Sequence, residues 1–373
     1  MQQTPAGADG AVLVSIDFGE SDYSESLEEL RLLAETAGVR TLAIVEGKRQ
    51  RPDAALFAGS GKVQEIAELV ERTQVPLVIF NHDLSPAQMR NLIAKLNTRV
   101  IDRTMLILDI FAQRAQSHEG KVQVELAQLR YLATRLVGQG VGMGQQKFAV
   151  GARGPGETKL ELDRRKLDKR VHLLKDRLEK LRHQRAVQRR ARGRADVLSV
   201  SIVGYTNAGK STLFNSLTRA DVYVADQLFA TLDTTSRRMF TEGQGEIVLS
   251  DTVGFIRHLP HSLVAAFRST LEETVQADLL LHVVDASNAN RDDQIAEVNK
   301  VLAEIGAADI PQVLVFNKID LQDIPPSVQR DDYGKIARVF LSAKSGAGLD
   351  VLRLALAEAK VARQTHEAIG QTY

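Results

Sequence analysis

Apolar residues recur along this chain in two rhythms, and the rhythms divide it into three stretches. In the first, to about residue 117, short apolar runs at 12–16, 41–45 and 76–80 predict buried strands. Between them Leu27, Leu30, Leu33 and Ala34, then Ile66, Leu69 and Val70, follow the three-and-four spacing of amphipathic helices. This alternation predicts a small α/β domain on a parallel sheet. In the second stretch Val122, Leu126, Leu129, Ala133 and Leu136 form a heptad-spaced seam. Leu160, Leu167, Val171, Leu174, Leu178 and Leu181 form another, with Arg164 in the missing place. Gly138, Gly140, Gly142, Gly144, Gly151, Gly154 and Gly156 lie between the seams and break any continuous helix. The expectation is an antiparallel helical hairpin with a long Gly-rich tip. The third stretch opens with an apolar strand at 197–203 and then alternates strands and helices to about residue 362. The expected domains are therefore 1–117, 118–195 and 196–362, followed by a polar tail at 363–373.

Composition narrows the chemistry. The chain has no cysteine, which excludes disulfides, thiolate metal sites and Cys nucleophiles. No apolar run approaches the roughly 20 residues that span a bilayer. The start, Met1-Gln2-Gln3-Thr4-Pro5, has no basic-then-apolar pattern of a signal peptide. The expected location is the cytoplasm, with part of the population at a membrane surface. A formal net charge of +1 conceals a local excess: Lys159 to Arg194 holds 15 Lys and Arg against 5 Asp and Glu. A solvated helix face with intrahelical ion pairs accounts for residues 160–181. It does not account for Arg189-Arg190-Ala191-Arg192-Gly193-Arg194, which suits a phosphate backbone. RNA is favoured over DNA because no groove-reading motif is present.

The third stretch carries nucleotide motifs in order. Gly204-Tyr205-Thr206-Asn207-Ala208-Gly209-Lys210-Ser211 fits the Walker A pattern, with Thr212 next in the following helix. Its glycines let backbone N–H groups curl around phosphates before a helix N-terminus. Lys210 is expected on the outer phosphates and Ser211 on Mg2+. Asp251-Thr252-Val253-Gly254 ends an apolar strand, so Asp251 can hold Mg2+ through water and the Gly254 N–H can reach the γ-phosphate. Asn317-Lys318-Ile319-Asp320 supplies a carboxylate for the guanine N1–H and 2-amino groups, which selects GTP over ATP. The backbone of Ser342-Ala343-Lys344 suits the guanine O6. Between the first two motifs, Phe229-Ala230-Thr231-Leu232-Asp233-Thr234-Thr235 is a switch that supplies one Thr to Mg2+. Spacing leaves Thr231, Thr234 and Thr235 open. Lys210 and Gly254 are expected to act on the outer phosphates, and Ser211 to ligate the metal together with whichever threonine the switch supplies. Phe255 occupies the place where many GTPases carry a water-orienting Gln, so slow intrinsic turnover and an activating partner are expected. His258 and His261 are read as solvated switch histidines. Gly59-Ser60-Gly61-Lys62 looks like half a phosphate loop, but Leu56 and Val63 stand where Gly and Ser or Thr are required, so it is read as a helix start.

The motifs outside the nucleotide set carry a resemblance. They are Leu56 to Val63, Asn81-His82-Asp83-Leu84-Ser85-Pro86, Ile101-Asp102-Arg103-Thr104, Asp109-Ile110-Phe111, and Ser117-His118-Glu119-Gly120-Lys121. Arg153-Gly154-Pro155-Gly156-Glu157-Thr158, Phe229 to Asp233, and Asp251 to Pro260 complete the set. Over nearly its whole length the chain resembles the HflX family, a ribosome-associated branch of the Obg-like translational GTPases. The resemblance implies a slow, ribosome-stimulated GTPase that uses Mg2+, binds GTP and GDP, and acts as a monomer. It implies binding to the large ribosomal subunit, including rRNA, and splitting or rescue of ribosomes under heat stress. It also implies Thr231 as the switch Mg2+ ligand. The alternatives are a ribosome-assembly GTPase and an ATP-dependent rRNA remodeller working through the N-terminal region. Two places depart from the family pattern. The tip, usually Arg-Gln-x-Gly-Gly-Ile-Gly, reads Gln145-Gln146-Lys147-Phe148-Ala149-Val150-Gly151, and Thr234 replaces the Pro of the switch.

Overall fold

The computed structural model describes residues 10–136, 159–192, 197–218, 227–241, 245–257, 260, 263 and 271–370. The hairpin tip, with its altered residues 145–151, and His258 and His261 lie outside the described residues. The chain forms two compact units, one of residues 1–113 and 121–179, the other of 114–120 and 180–373.

The first unit is built on β1 (Ala11–Asp17), β2 (Thr41–Lys48), β3 (Leu77–Phe80) and β4 (Arg99–Asp102). They form a parallel four-stranded sheet in the order β2-β1-β3-β4. Helices α1 (Tyr23–Thr36), α2 (Ser60–Thr73), α3 (Pro86–Leu96) and α4 (Arg103–Arg114) connect and follow the strands. β1 is central, so Ala11 to Ile16 are all buried, as expected for a strand covered on both faces. The predicted helical residues Leu30, Leu33 and Ala34 are buried on α1, and Ile66 and Val70 on α2. The motif that ends in Ser85-Pro86 is a capping box. Gln88 N–H donates to Ser85 Oγ, the Gln88 side chain accepts from Ser85 N–H, and Pro86 opens α3. The half phosphate loop is a helix start: Gly59 caps α2 and Lys62 pairs with Glu65 at 2.6 Å.

The two heptad seams become α5 (His118–Leu136) and α6 (Lys159–Arg192). Val122, Leu126 and Leu129 from one cluster with Val171, Leu174 and Leu178 from the other. Arg170 adds an ion pair to Glu125 at 2.7 Å.

The second unit holds β5 (Leu198–Gly204), β6 (Thr235–Thr241), β7 (Gly245–Asp251), β8 (Leu279–Asp285), β9 (Gln312–Asn317), β10 (Ser327–Arg330) and β11 (Ile336–Phe340). Their order in one seven-stranded sheet is β10-β11-β9-β8-β5-β7-β6. The strands from β11 across to β7 are parallel, while β6 and β10 add antiparallel edges. The alternation of strands and helices is interrupted at β6–β7 and at β10–β11, where consecutive strands pair antiparallel. Among the described residues the longer helices are α7 (Lys210–Thr218), α8 (Arg291–Ile305) and α9 (Leu349–Gly370), besides a short turn at Glu272–Val275. Leu213, Phe214 and Leu217 of α7 and Leu352, Ala355 and Leu356 of α9 enter the main core. That core fixes the carboxyl ends of the parallel strands, where the phosphate loop and the guanine motifs emerge. Among the described residues no helix is long and apolar enough to cross a membrane.

Candidate functional site

A cleft of about 540 Å³ opens beyond these strand ends. It is lined by Thr206, Asn207, Gly209, Lys210, Ser211 and Thr212 of the phosphate loop, and by Phe229, Ala230 and Thr231 of the switch. Thr252 and Gly254, then Asn317, Lys318 and Asp320, then Ser342 and Lys344 complete the predicted lining. Five segments separated in sequence therefore meet in one place. The sheet brings them together, because in an open parallel sheet every strand delivers its C-terminal loop to the same edge.

Lys210 is the first residue of α7 and is 7% exposed. Its Nζ donates to Tyr205 O at 2.7 Å. Burial pushes its pKa down to about 8, and the Asp251 carboxylate opposes part of that shift. Ser211 Oγ lies 2.7 Å from Thr231 Oγ1 and donates to Asp251 Oδ2 at 2.7 Å. Thr231 Oγ1 also donates to Asp251 Oδ2, at 3.1 Å. Burial raises the Asp251 pKa, and the hydrogen bond from Ser211 and the charge of Lys210 lower it. Asp251 Oδ1 is buried with no partner among the described residues. Two hydroxyls and a carboxylate with an unused oxygen fit a hard divalent cation such as Mg2+, which prefers oxygen ligands. Of the three switch threonines, Thr231 is the one placed here. Thr234 Oγ1 is buried without a partner among the described residues, and Thr235 begins β6.

The phosphate loop is zipped to the segment after Asp251. Thr206 N–H donates to Phe255 O at 2.7 Å and Phe255 N–H to Gly204 O at 3.2 Å. Arg257 N–H donates to the Tyr205 hydroxyl at 2.7 Å, and Thr252 Oγ1 to Ile202 O at 2.7 Å. Gly254 sits so close to the loop that a Cβ would lie 2.6 Å from Thr206 Cγ2 and 3.0 Å from Lys210 Nζ. The Phe255 ring is 1% exposed, packed into the interior and unable to orient a water.

At the guanine end Asn317 braces two motifs. Its Nδ2 donates to Ala208 O and its Oδ1 accepts from Ala343 N–H, both at 2.9 Å. Ser216 Oγ of α7 holds Ala343 O at 2.8 Å. Asp320 follows in a short 3-10 turn with its carboxylate exposed, next to buried Ile319. Lys318 is held by Asp285 Oδ2 at 2.7 Å. Gly204, Tyr205, Ala208, Leu232, Asp251, Val253, Ile319 and Ala343 are predicted site residues that do not line the cleft. The Asp233 carboxylate turns to the backbone of Gln116 and Ser117. Sequence reasoning missed Gln227 and Leu321, which line the cleft, and Asp285. Asp285 was findable: it ends the apolar run Leu279–Asp285 as Asp251 ends its own.

Comparison with known proteins bears on the same residues. Residues 24–112 match the family model described as GTP-binding GTPase N-terminal, and 114–192 match the GTP-binding GTPase Middle Region. Residues 199–318 match the model described as 50S ribosome-binding GTPase. GTPase HflX of Escherichia coli (strain K12) is 56% identical over 93% of this chain and 82% of its own. GTPase HflX of Caldanaerobacter subterraneus subsp. tengcongensis is 47% identical over 94% of this chain and 81% of its own. The solved complex of SsGBP with GDP superposes with a TM-score of 0.52 at 25% identity, covering 94% of this chain and 98% of that one. A GTP-binding cleft, three consecutive family models and relatives aligned through both units agree: this chain is a GTPase and belongs to the HflX family.

Proposed function

We propose that GTP with Mg2+ closes the switch of this protein and so licenses binding to the large ribosomal subunit, where it splits or rescues ribosomes under stress. The observation that carries this reading is the closure of Thr231 onto Ser211 and Asp251 in a chain that also carries the basic helix α6. Ser211 and Thr231 would hold the metal directly and Asp251 through water, and the metal would supply charge neutralisation at the outer phosphates. Lys210 donates to the outer phosphates, and Gly254 offers its N–H to the γ-phosphate. Asp320 accepts from the guanine N1–H and 2-amino groups, while the Ser342 to Lys344 backbone meets O6.

With Phe255 buried, no side chain at that position positions the attacking water. Turnover alone is therefore slow, near 10⁻⁴ to 10⁻³ per second, on the order of other unassisted GTPases. The ribosome is the proposed activator. The name of the matching model and the Lys and Arg excess of residues 159–194 support a ribosomal RNA partner. Phosphate contacts by that helix make binding steeply salt-dependent.

The test is gradient sedimentation of whole ribosomes with the protein under GTP, a nonhydrolysable analogue, GDP or ATP. Conversion to subunits with GTP and the analogue, but not with GDP, is the expected result. Comigration with large subunits while whole ribosomes stay intact removes splitting and leaves an assembly role. Activity with ATP that survives Asp320→Asn and Lys210→Ala removes the GTP reading.

A further inference from the structure

The short stretch between α4 and α5, Arg114–Gly120, belongs to the GTPase unit. Its contacts fall on both ends of the switch. Arg114 Nη2 donates to Gln227 Oε1. At the other end, Gln116 N–H and Ser117 N–H both donate to Asp233 Oδ2 at 2.8 Å. Ser117 Oγ donates to Asp233 Oδ1 at 2.5 Å. The same Ser117 Oγ accepts the Gly120 N–H at 2.8 Å, so Ser117 is also the N-cap of α5. Asp233 thus places its negative charge at the positive pole of a 19-residue helix. Gly120 is so close that a Cβ there would run into the Asp233 carboxylate. Two residues before Asp233 stands Thr231, in contact with Ser211 and Asp251.

We propose that Ser117, with Gln116 and Gly120, is a positioning element for the GTP reaction: the N-terminus of α5 grips Asp233 and holds Thr231 at the metal. This rests on Thr231 being the Mg2+ ligand, as argued above. Gln116, Ser117 and Gly120 lie outside residues 199–318, the span matched by the GTPase-domain model, yet they hold a residue inside it, next to the nucleotide site. Gripping the switch before nucleotide arrives removes conformational entropy that binding would otherwise have to lose. The benefit falls on the triphosphate, because γ-phosphate–Mg2+ contacts order the switch and hydrolysis releases it. By linkage, GTP in turn favours the gripped form of the start of α5.

The experiment uses full-length protein with Gly120→Ala, Ser117→Ala, Ser117→Thr and Thr231→Ala. Affinities for a fluorescent GDP and a fluorescent nonhydrolysable GTP analogue are titrated against Mg2+. Gly120→Ala is expected to weaken the analogue roughly tenfold or more, the scale of losing charge-assisted hydrogen bonds, and to raise the Mg2+ midpoint. GDP affinity should stay within about twofold. Ser117→Ala follows in the same direction with a smaller effect, and Ser117→Thr restores wild-type discrimination. Equal losses for GDP and the analogue overturn the proposal, since a merely structural role would do that. Wild-type analogue affinity in Gly120→Ala and Ser117→Ala, with Thr231→Ala impaired, overturns the grip and leaves the nucleotide site standing. An unimpaired Thr231→Ala instead removes the metal assignment and this proposal with it.

Discussion

Parallel strands in both sheets end at or next to polar residues, and those of the second sheet lead into a cleft lined by the nucleotide motifs. In the first unit Asp17, Asn81 and Asp102 stand at or just past the carboxyl ends of β1, β3 and β4. Their groups are answered from within. Asn81 donates to Ser15 and Ser26 and accepts from Arg103, which pairs with Glu29 at 2.7 Å. Asp102 accepts from Arg135 at 2.9 Å and from Met105 N–H at 2.9 Å, capping α4. In the GTPase unit the loops that follow the equivalent ends Gly204, Asp251 and Asn317 line an open cleft, and Asp251 and Thr206 keep buried oxygens without partners among the described residues. Position at a sheet's carboxyl edge is thus common to both. What separates a site from a strut is whether the strand ends open onto a cleft or are tied into an internal network.

The strongest way to break that contrast is to open the internal network. Arg103 and Glu29 side chains are 4% and 9% exposed, so Arg103→Ala strands a buried carboxylate and Asn81 Oδ1. The expected loss is about 3–5 kcal/mol of stability in the first unit, read by urea unfolding. GDP affinity of the folded protein should be unchanged. A loss of nucleotide binding without loss of stability would make the first sheet part of the site.

Next in size is Asp320→Asn. The amide replaces an acceptor for two guanine donors, so GDP affinity should fall by roughly a hundredfold or more. Xanthosine diphosphate, whose 2-oxo group can accept from the new amide, should bind better than to the wild type. Equal binding of GDP and ADP by the unmodified protein would contradict the assignment of Asp320.

The two units were unequally legible from sequence. Each nucleotide motif is a strand followed by a loop of fixed length, so residue types and spacing suffice to find it. The heptad seams were readable for the same local reason, and Val122, Leu126, Leu174 and Leu178 are buried where the period put them. Strands β4 and β10 are four residues each, too short to show a period. The choice of Thr231 over Thr234 and Thr235 depends on how the switch folds back over Ser211, which spacing does not encode. Nor does anything near Asp233 announce that its carboxylate meets Ser117, a contact made far along the chain.

A smaller effect tests the open cleft through protons. Burial holds the Lys210 pKa at about 8, below its ordinary 10.5. A lysine whose folded pKa is depressed destabilises the charged fold below that value. Stability of the nucleotide-free protein therefore rises as pH climbs from about 8 towards 10.5. Bound phosphates favour the ammonium and raise the pKa again. Binding should then take up a proton above pH 8, and affinity should fall by up to about tenfold per pH unit there. Calorimetry of GDP binding at pH 8.5 in buffers of different ionisation enthalpy measures the uptake. Heat independent of the buffer would show that Lys210 is already fully charged.

The smallest expected effect is also the sharpest statement of the contrast. Lys62 sits in Gly59-Ser60-Gly61-Lys62, the fragment most like a second phosphate loop. Its ammonium pairs with Glu65 three residues on, on a solvent-facing turn of α2 where the Glu65 side chain is 57% exposed. Exposed pairs of this kind contribute about 0–1 kcal/mol. Lys62→Ala should therefore leave stability nearly unchanged in thermal unfolding and leave binding of GDP, GTP analogue and ADP where it was. An ADP affinity that exists in the wild type, survives Lys210→Ala and disappears with Lys62→Ala would place a second nucleotide at the first sheet. Its polar strand ends would then have capacity that the internal hydrogen bonds do not use.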